Sequence, residues 1–218
     1  MKLYIDGMKD YWNKRFLDDG KIWGVKPSKT AYYALKLFKN FNVRTVVVPG
    51  CGYGRNTKLF SNAGFKVVGV EISDIAVKDA RKFDTKTKFY RKSVLKIDIL
   101  GKKFDAVYCF NLLHLFREKE RLQFIEKCNK ILNDDGFTFL SVFSDREESF
   151  GRGKKIEENT FESKPGRIAH YFTREDLLLH FNNFDVIEIG EMSDEENHGE
   201  EGKHVHNLRY IFCSKRVF

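Results

Sequence analysis

The sequence has few cysteines and no long apolar run, and each absence excludes a class of protein. Its four cysteines are widely spaced and form no CxxC pair, which argues against a disulfide framework or a zinc ribbon and predicts reduced, mostly buried thiols. No apolar run has the length of a membrane helix, and the start lacks the charged, apolar and cleavage regions of a signal peptide. We therefore expect a cytoplasmic protein without a membrane partner.

Length and composition predict one domain. The chain has 218 residues, 42% of them hydrophobic and 32% charged, with 21 phenylalanines and only 3 prolines. This is long enough to bury a substantial aromatic core. We find no internal repeat and no low-complexity linker, so residues 1–218 are expected to form a single domain, as a monomer or a homodimer.

The net charge of +8 is unevenly distributed. Residues 78–103 hold ten Lys or Arg against three Asp, whereas residues 191–201 hold six acids and no Lys or Arg. A basic stretch can contact nucleic acid. It is more often a solvated helix and turn, so nucleic acid is not the expected partner.

Strand and helix patterns alternate along the chain. The predicted strands are TVVVPG, KVVGVEIS, TKFYRKSV, FDAVYCFN, FTFLSVFS, FDVIEIG and NLRYIFCS. Helices are predicted after Ser28, over RNTKLFSNAG, over DIAVKDARKF, and after the cap residue Thr173. A further helix around EKERLQFIEKCNKIL is expected to bury Leu122, Ile125, Cys128 and Leu132. This order predicts an α/β, doubly wound, mostly parallel sheet, which binds ligands at the carboxyl ends of its strands.

A glycine-rich turn follows the first central strand, in VVVPGCGYGRNTKLF (46–60). Gly50, Gly52 and Gly54 indicate a sharp turn that something approaches closely. A dinucleotide site needs GxGxxG, and here the third glycine comes one residue early; the phosphate-loop pattern GxxxxGK[ST] is absent. The turn alone therefore does not identify its ligand.

Glu71 narrows the choice of ligand. It ends the next strand, where a carboxylate can accept hydrogen bonds from both hydroxyls of a ribose. A nucleoside without pyrophosphate would need the close backbone approach and this carboxylate. S-adenosylmethionine is such a ligand.

Over nearly its whole length the chain resembles the class I S-adenosylmethionine-dependent methyltransferases. VPGCGYGR is similar to their first motif, GVEIS to their ribose-binding motif, and FDAVYCFNLLHLF to the strand and active-site loop that follow. The resemblance implies a Rossmann-like sheet of seven strands, the last antiparallel, and S-adenosylmethionine as cofactor. Pro49 stands where many members have an acid, which resembles the thiopurine, thiol and halide methyltransferase branch.

The resemblance also implies the cofactor contacts. Residues 1–30, with YWNKRF and IWGVKPS, look like the N-terminal lid of tellurite-resistance-type methyltransferases, and residues 145–170 like a substrate-side insertion. Aromatic faces attract a cationic sulfonium, although simple packing explains the two tryptophans equally well. The expected cofactor-binding residues are Trp12, Trp23, Pro49, Gly50, Cys51, Gly52, Arg55, Asn56, Glu71, Ile72, Ser93, Val94, Phe110 and Asn111.

The candidate catalytic residues come from two strands. His114 follows the fourth strand, where relatives contact the donor or line the acceptor pocket; a cap or packing role is the alternative. The antiparallel seventh strand begins at the ligand edge, so His204 and His206 point to one face, with Arg209 close behind and an acidic 191–203 loop overhanging them. No fixed ligand spacing supports a metal site from His198, His204 and His206, and no metal is expected.

Missing motifs narrow the acceptor. NLLH replaces the [DNS]PP[YFW] of DNA amino-methyltransferases, no cysteine lies in the Pro-Cys context of cytosine-C5 enzymes, and no RNA-binding appendage is visible. We therefore predict a methyltransferase acting on a small molecule, a soft nucleophile such as a thiol or metalloid species. An RNA or protein methyltransferase and a non-catalytic cofactor-binding regulator remain alternatives.

Overall fold

The computed structural model describes residues 2–164, 166–197 and 202–217, and in these ranges one seven-stranded sheet organises the chain. Its strands run in the order β3-β2-β1-β4-β5-β10-β9, with β1 to β5 parallel and β10 antiparallel to both of its neighbours. A small antiparallel sheet has the order β6-β7-β8. The strands are β1 (Thr45–Pro49), β2 (Lys66–Glu71), β3 (Lys88–Arg91), β4 (Phe104–Phe110), β5 (Leu132–Phe143), β6 (Lys154–Glu157), β7 (Thr160–Lys164), β8 (Arg167–His170), β9 (Phe184–Asn197) and β10 (Lys203–Lys215). The predicted doubly wound sheet with an antiparallel last strand is confirmed.

Six α-helices accompany the sheet in the described part of the chain. They are α1 (Lys2–Asp19), α2 (Lys29–Asn40), α3 (Arg55–Asn62), α4 (Asp74–Phe83), α5 (Glu118–Ile131) and α6 (Arg174–His180). Ser28 caps α2 by accepting a hydrogen bond from the Ala31 N–H, and Thr173 caps α6 by accepting one from the Asp176 N–H. Both caps agree with the sequence prediction. No helix among the described residues is long and apolar enough to span a membrane.

The hydrophobic core covers both faces of the sheet. Val46 and Val48 pack with Phe38 and Phe139 on one face, and Val47 packs with Phe124 on the other. A central parallel strand is buried on both sides, so its sequence is a continuous apolar run instead of an alternating one. All four cysteines are buried and free, as expected.

The predicted apolar stripe of α5 is wrong at Leu122, which is 50% exposed. Leu132 is buried as predicted, although it directly follows the helix as the first residue of β5. Arg121 occupies the inward position instead, where it donates to the Phe116 carbonyl at 2.8 Å and to His180 Nε2 at 3.1 Å. These partners let a charged side chain replace a leucine in the interior.

The predicted acidic loop 191–203 is instead mostly a continuation of β9 and β10. The two strands pair up to Asn197 and Lys203, while residues 198–201, including His198, lie outside the described residues. Asp194 and Glu196 are buried and each has a partner: Asp194 accepts from the Lys29 N–H at 3.0 Å, and Glu196 pairs with Arg55. Partners supplied by distant residues thus allow an acidic segment to form a strand.

Candidate active site

The glycine turn between β1 and α3 has the conformation that its sequence indicates. Gly50, Gly52 and Gly54 have φ angles of +63°, +52° and +88°, a region that favours glycine. A Cβ atom at Gly50 would lie 3.0 Å from the Leu112 side chain. The amides of Gly50 and Cys51 donate to the Val70 carbonyl at 2.8 and 3.2 Å, so β2 holds the turn in place.

Glu71 connects the glycine turn to the end of β2. Its buried carboxylate accepts the Gly52 N–H at 3.0 Å through Oε2, and the N–H groups of Ile72 and Ser73 at 2.8 and 2.9 Å through Oε1. Burial raises the pKa of the Glu71 carboxyl, although the three amide hydrogen bonds oppose the shift. The side chain is therefore fixed in position at the carboxyl ends of two neighbouring strands.

A cavity that is partly open to solvent lies at this edge of the sheet. It extends under α1 and reaches the loops after β2, β3 and β4. Most of the predicted cofactor-binding residues line it, whereas Pro49 is buried within β1 and is not part of the wall. The predicted residues in the wall are Trp12, Trp23, Gly50, Cys51, Gly52, Arg55, Asn56, Glu71, Ile72, Ser93, Val94, Phe110 and Asn111.

Aromatic side chains form one wall of the cavity. Trp23 stacks on Tyr53 with ring centroids 6.2 Å apart and an interplanar angle of 17°, and Phe16 packs against both rings. Trp12 contacts Phe16 and Trp23. The two tryptophans thus pack against each other and against neighbouring rings, and both also line the cavity. Phe16 and Tyr53 are not among the predicted cofactor-binding residues, although they lie in the YWNKRF and VPGCGYGR segments.

Contacts with the start of α4 hold α1 over the cavity. Asn13 Oδ1 accepts from Ser73 Oγ at 2.7 Å and from the Asp74 N–H at 2.9 Å. Lys9 pairs with Asp74 at 2.7 Å. The helix is therefore fixed to the residues that directly follow Glu71.

A buried ion pair connects the glycine turn to the β9–β10 hairpin. Arg55, the first residue of α3, pairs with Glu196 of β9, donates to the Trp23 carbonyl at 3.2 Å, and lies 5.2 Å from the Phe110 ring centroid. Both side chains line the cavity. Glu196 is not among the predicted site residues, because the acidic pattern around it predicts a loop and not a strand.

Two of the predicted histidines sandwich a phenylalanine at the cavity. The His114 ring stacks on Phe143 at 3.9 Å, and Phe143 stacks on His206 at 4.9 Å. All three residues line the cavity. Burial, helped by the positive charge of Arg167, lowers the pKa of His114 well below its usual value. Its Nδ1 has no hydrogen-bond partner among the described residues.

Glu147, in the loop after β5, brings the two β10 histidines together. Its Oε1 lies 2.7 Å from His206 Nδ1 and 3.3 Å from His204 Nε2, and its Oε2 accepts the Asn207 N–H at 2.6 Å. Burial raises the pKa of Glu147, but the interactions with His206, the Asn207 N–H and His204 together outweigh it and lower the pKa overall. No sequence motif indicates Glu147, which lies 57 positions from His204 and 59 from His206 in the chain.

The predicted cluster of Asn111, His114, His204, His206 and Arg209 is only partly formed. Asn111, His114 and His206 line the cavity, while His204 lies behind His206. The placement of Arg209 beside the histidines is wrong, because an odd separation from His206 puts it on the opposite face of β10. There it bonds to Asp145 at 2.8 Å, Glu191 at 2.9 Å and the Phe172 carbonyl at 3.2 Å.

Known proteins resemble this chain in sequence and in fold. Residues 46–136 match the methyltransferase domain family. The chain is 25% identical over 167 residues to a probable thiol methyltransferase 2 of Arabidopsis thaliana, covering 74% of each protein. It is also 25% identical over 108 residues to an uncharacterized methyltransferase of Schizosaccharomyces pombe, covering 48% of this chain and 74% of that protein.

A solved structure matches almost the whole fold. It is Burkholderia thailandensis 1,6-didemethyltoxoflavin-N1-methyltransferase with bound 1,6-didemethyltoxoflavin and S-adenosylhomocysteine, with a TM-score of 0.73 and 18% identity, covering 99% of this chain and 90% of that one. Residues 46–136 are thus similar to a methyltransferase domain, and the seven-stranded sheet has the fold of a solved methyltransferase that binds S-adenosylhomocysteine.

Proposed function

We propose that the protein transfers the methyl group of S-adenosylmethionine to a small soft nucleophile such as a thiol or a metalloid species. The observation that carries the proposal is that one cavity contains both Glu71 and the His114–Phe143–His206 stack. The strands β2 and β10 are four steps apart in the sheet, which corresponds to about 19 Å. This distance accommodates a nucleoside cofactor followed by a small acceptor.

The cofactor half of the cavity suits S-adenosylmethionine. The positive φ angles of the glycine turn let a ligand approach the backbone, and Glu71 Oε2, which accepts only the Gly52 N–H, retains a lone pair that can accept from a ribose hydroxyl. The aromatic wall of Trp12 and Trp23 presents ring faces to a positive charge, which is worth about 1–2 kcal/mol when desolvated. The bound cofactor supplies an electrophilic methyl group on a sulfonium.

The acceptor half of the cavity is bounded by elements that limit the size of the acceptor. α1 and the Arg167 end of β8 both contribute to its wall, which favours a small molecule over a macromolecule. We infer that α1 belongs to the predicted lid of residues 1–30. We likewise infer that β8 belongs to the predicted substrate-side insertion of residues 145–170. The likeness to a probable thiol methyltransferase supports a sulfur acceptor.

A thiol acceptor requires alignment more than strong base catalysis. As the sulfur of the acceptor forms its bond to the methyl carbon, the carbon–sulfonium bond breaks and a neutral thioether leaves. The thiol proton goes to water or to the His206 imidazole, which lies between the carboxylates of Glu147 and Glu196. Holding the acceptor in line beside His114 and Phe143 and excluding water are the main tasks of the chain.

The test measures S-adenosylhomocysteine formation with acceptors of matched size. We expect turnover with 2-mercaptoethanol and clearly less with ethanolamine or ethylene glycol, since only the thiol offers a soft sulfur nucleophile. His206→Gln should lower the rate with 2-mercaptoethanol while leaving the cofactor affinity unchanged. Transfer to the amine alone, or to RNA alone, would contradict the proposed acceptor class.

A further inference from the structure

We propose that Glu147, His204 and His206 bind a divalent transition-metal ion directly behind the wall of the cavity. Each of the three residues offers one ligand atom, and these atoms all lie within 4.8 Å of one another. In a tetrahedral site with bonds of about 2.0–2.1 Å, neighbouring ligand atoms stand about 3.3–3.4 Å apart. The 3.3 Å from Oε1 to His204 matches this spacing, and the 2.7 Å to His206 needs to open by about 0.6 Å.

Rigid structure holds the three ligands in place. The histidines are two residues apart on β10, in the part that pairs with β9, so both rings stand on one face with centroids 4.6 Å apart. Glu147 Oε2 is fixed by the Asn207 N–H at 2.6 Å, and His206 Nε2 lies 3.8 Å from Glu196. Such outer carboxylates and amides typically orient the ligands of protein metal sites.

The local charge also favours a cation. The Glu147 side chain is only 1% exposed, and within residues 2–164, 166–197 and 202–217 its ion-pair partners are the two imidazoles. Two further buried carboxylates face the histidines across the β9–β10 pairing, Asp194 opposite His206 and Glu196 opposite His204, with Arg55 as the nearby counter-charge. A buried carboxylate is costly unless a cation compensates it.

The ligand types select the class of ion. Two imidazoles and one carboxylate suit zinc, cobalt, nickel or iron, whereas magnesium and calcium prefer all-oxygen sites. Three protein ligands leave a fourth position for water or another ligand. Because His206 also lines the cavity, the ion would be separated from it by one imidazole ring and would fix the orientation of that ring. With the ion bound, the lone pair of His206 is used, and the thiol proton goes to water. No metal was predicted from the sequence, because Glu147, the third ligand, is far from both histidines along the chain.

Metal binding is tested without cofactor or acceptor, so the result does not depend on the proposed function. Chelator-treated full-length protein is titrated with Co²⁺, and we expect one equivalent to bind with the intense visible absorption of a four-coordinate site, displaced by Zn²⁺. Glu147→Gln, His204→Gln and His206→Gln should each weaken binding at least about 10-fold. Glu148→Gln is the matched control, since its 64% exposed side chain pairs with Arg152 and should leave binding unchanged.

The outcomes separate a metal site from a hydrogen-bonded cluster. Absence of stoichiometric binding to the wild type, or equal binding in the three ligand variants, would overturn the proposal. His204 is 36% exposed, so His204→Gln is the variant best suited to remain folded. A second measurement needs no variant: Zn²⁺ in excess should raise the melting temperature of the wild-type protein, because it binds the folded state, and an unchanged melting temperature would count against the site.

Discussion

At the residue scale, the two histidines of the stack differ in their partners, because His206 Nδ1 contacts the Glu147 carboxylate and His114 Nδ1 has no hydrogen-bond partner among the described residues. His114 is buried against Phe143 with its pKa held well below the usual value, so its imidazole is neutral at physiological pH. A neutral ring with so low a pKa is a poor general base. We therefore assign His114 a positioning role at the acceptor end, and leave proton transfer to His206 or water.

The lowered pKa of His114 predicts a pH dependence of stability. Its folded-state pKa lies below the unfolded value of about 6.5, so its contribution is fully present above that pH and is lost as the pH falls below it. Between pH 6.5 and 5 the free energy of unfolding should fall less steeply in His114→Leu than in the wild type, by up to about 1.4 kcal/mol per pH unit. Denaturant titrations at several pH values measure the slope, and identical slopes would refute the assignment.

The sequence revealed single residues only where local pattern was enough. Glu71 was predicted because it ends β2, the first strand after the glycine turn and α3. The common face of His204 and His206 was predicted from the two-residue period of a strand. The same period places Arg209 on the other face, which the prediction overlooked. Glu147 and Glu196 depend on tertiary contacts between distant segments, and no spacing along the chain indicates them.

At the element scale, the Arg55–Glu196 pair predicts that α3 and the hairpin depend on each other. Glu196→Gln leaves the buried guanidinium without its charged partner and should lower the free energy of unfolding by about 3 kcal/mol. The control is Glu195→Gln, on the exposed face of the same strand. Chemical denaturation measures both variants, and equal stabilities would show that the pair contributes little.

The attachment of α1 predicts a coupling between this helix and the cofactor. Residues 8–28 should exchange amide hydrogens more slowly when S-adenosylmethionine is added, because the cofactor would fill the space between the helix and the glycine turn. Asn13→Ala removes the hydrogen bonds to Ser73 and Asp74 and should increase exchange in the absence of cofactor. Mass spectrometry measures both effects; equal protection of 8–28 with and without cofactor would contradict a lid.

At the scale of the whole molecule, the alternation of strands and helices was enough to predict the sheet. It did not predict the small β6–β8 sheet or the length of the β9–β10 hairpin, because these segments are polar and are stabilised by contacts with the rest of the fold. The basic stretch 78–103 uses part of its charge locally: Arg81 donates to the Phe89 carbonyl and Arg91 pairs with Asp74. These contacts agree with a solvated edge of the sheet.

Calorimetric titration of S-adenosylmethionine into the wild type and Glu71→Gln tests most directly whether the cavity binds this cofactor through Glu71. We predict that the wild type binds one equivalent and that Glu71→Gln weakens binding by about 1.5–3 kcal/mol, through lost charge-assisted hydrogen bonds to the ribose. Glu175→Gln, at an exposed position of α6, is the control, and melting temperatures check that the amides around Glu71 still hold the turn. No binding by the wild type would contradict the assignment of the cavity to S-adenosylmethionine, and undiminished affinity in a folded Glu71→Gln variant would contradict the role of Glu71 in binding the ribose.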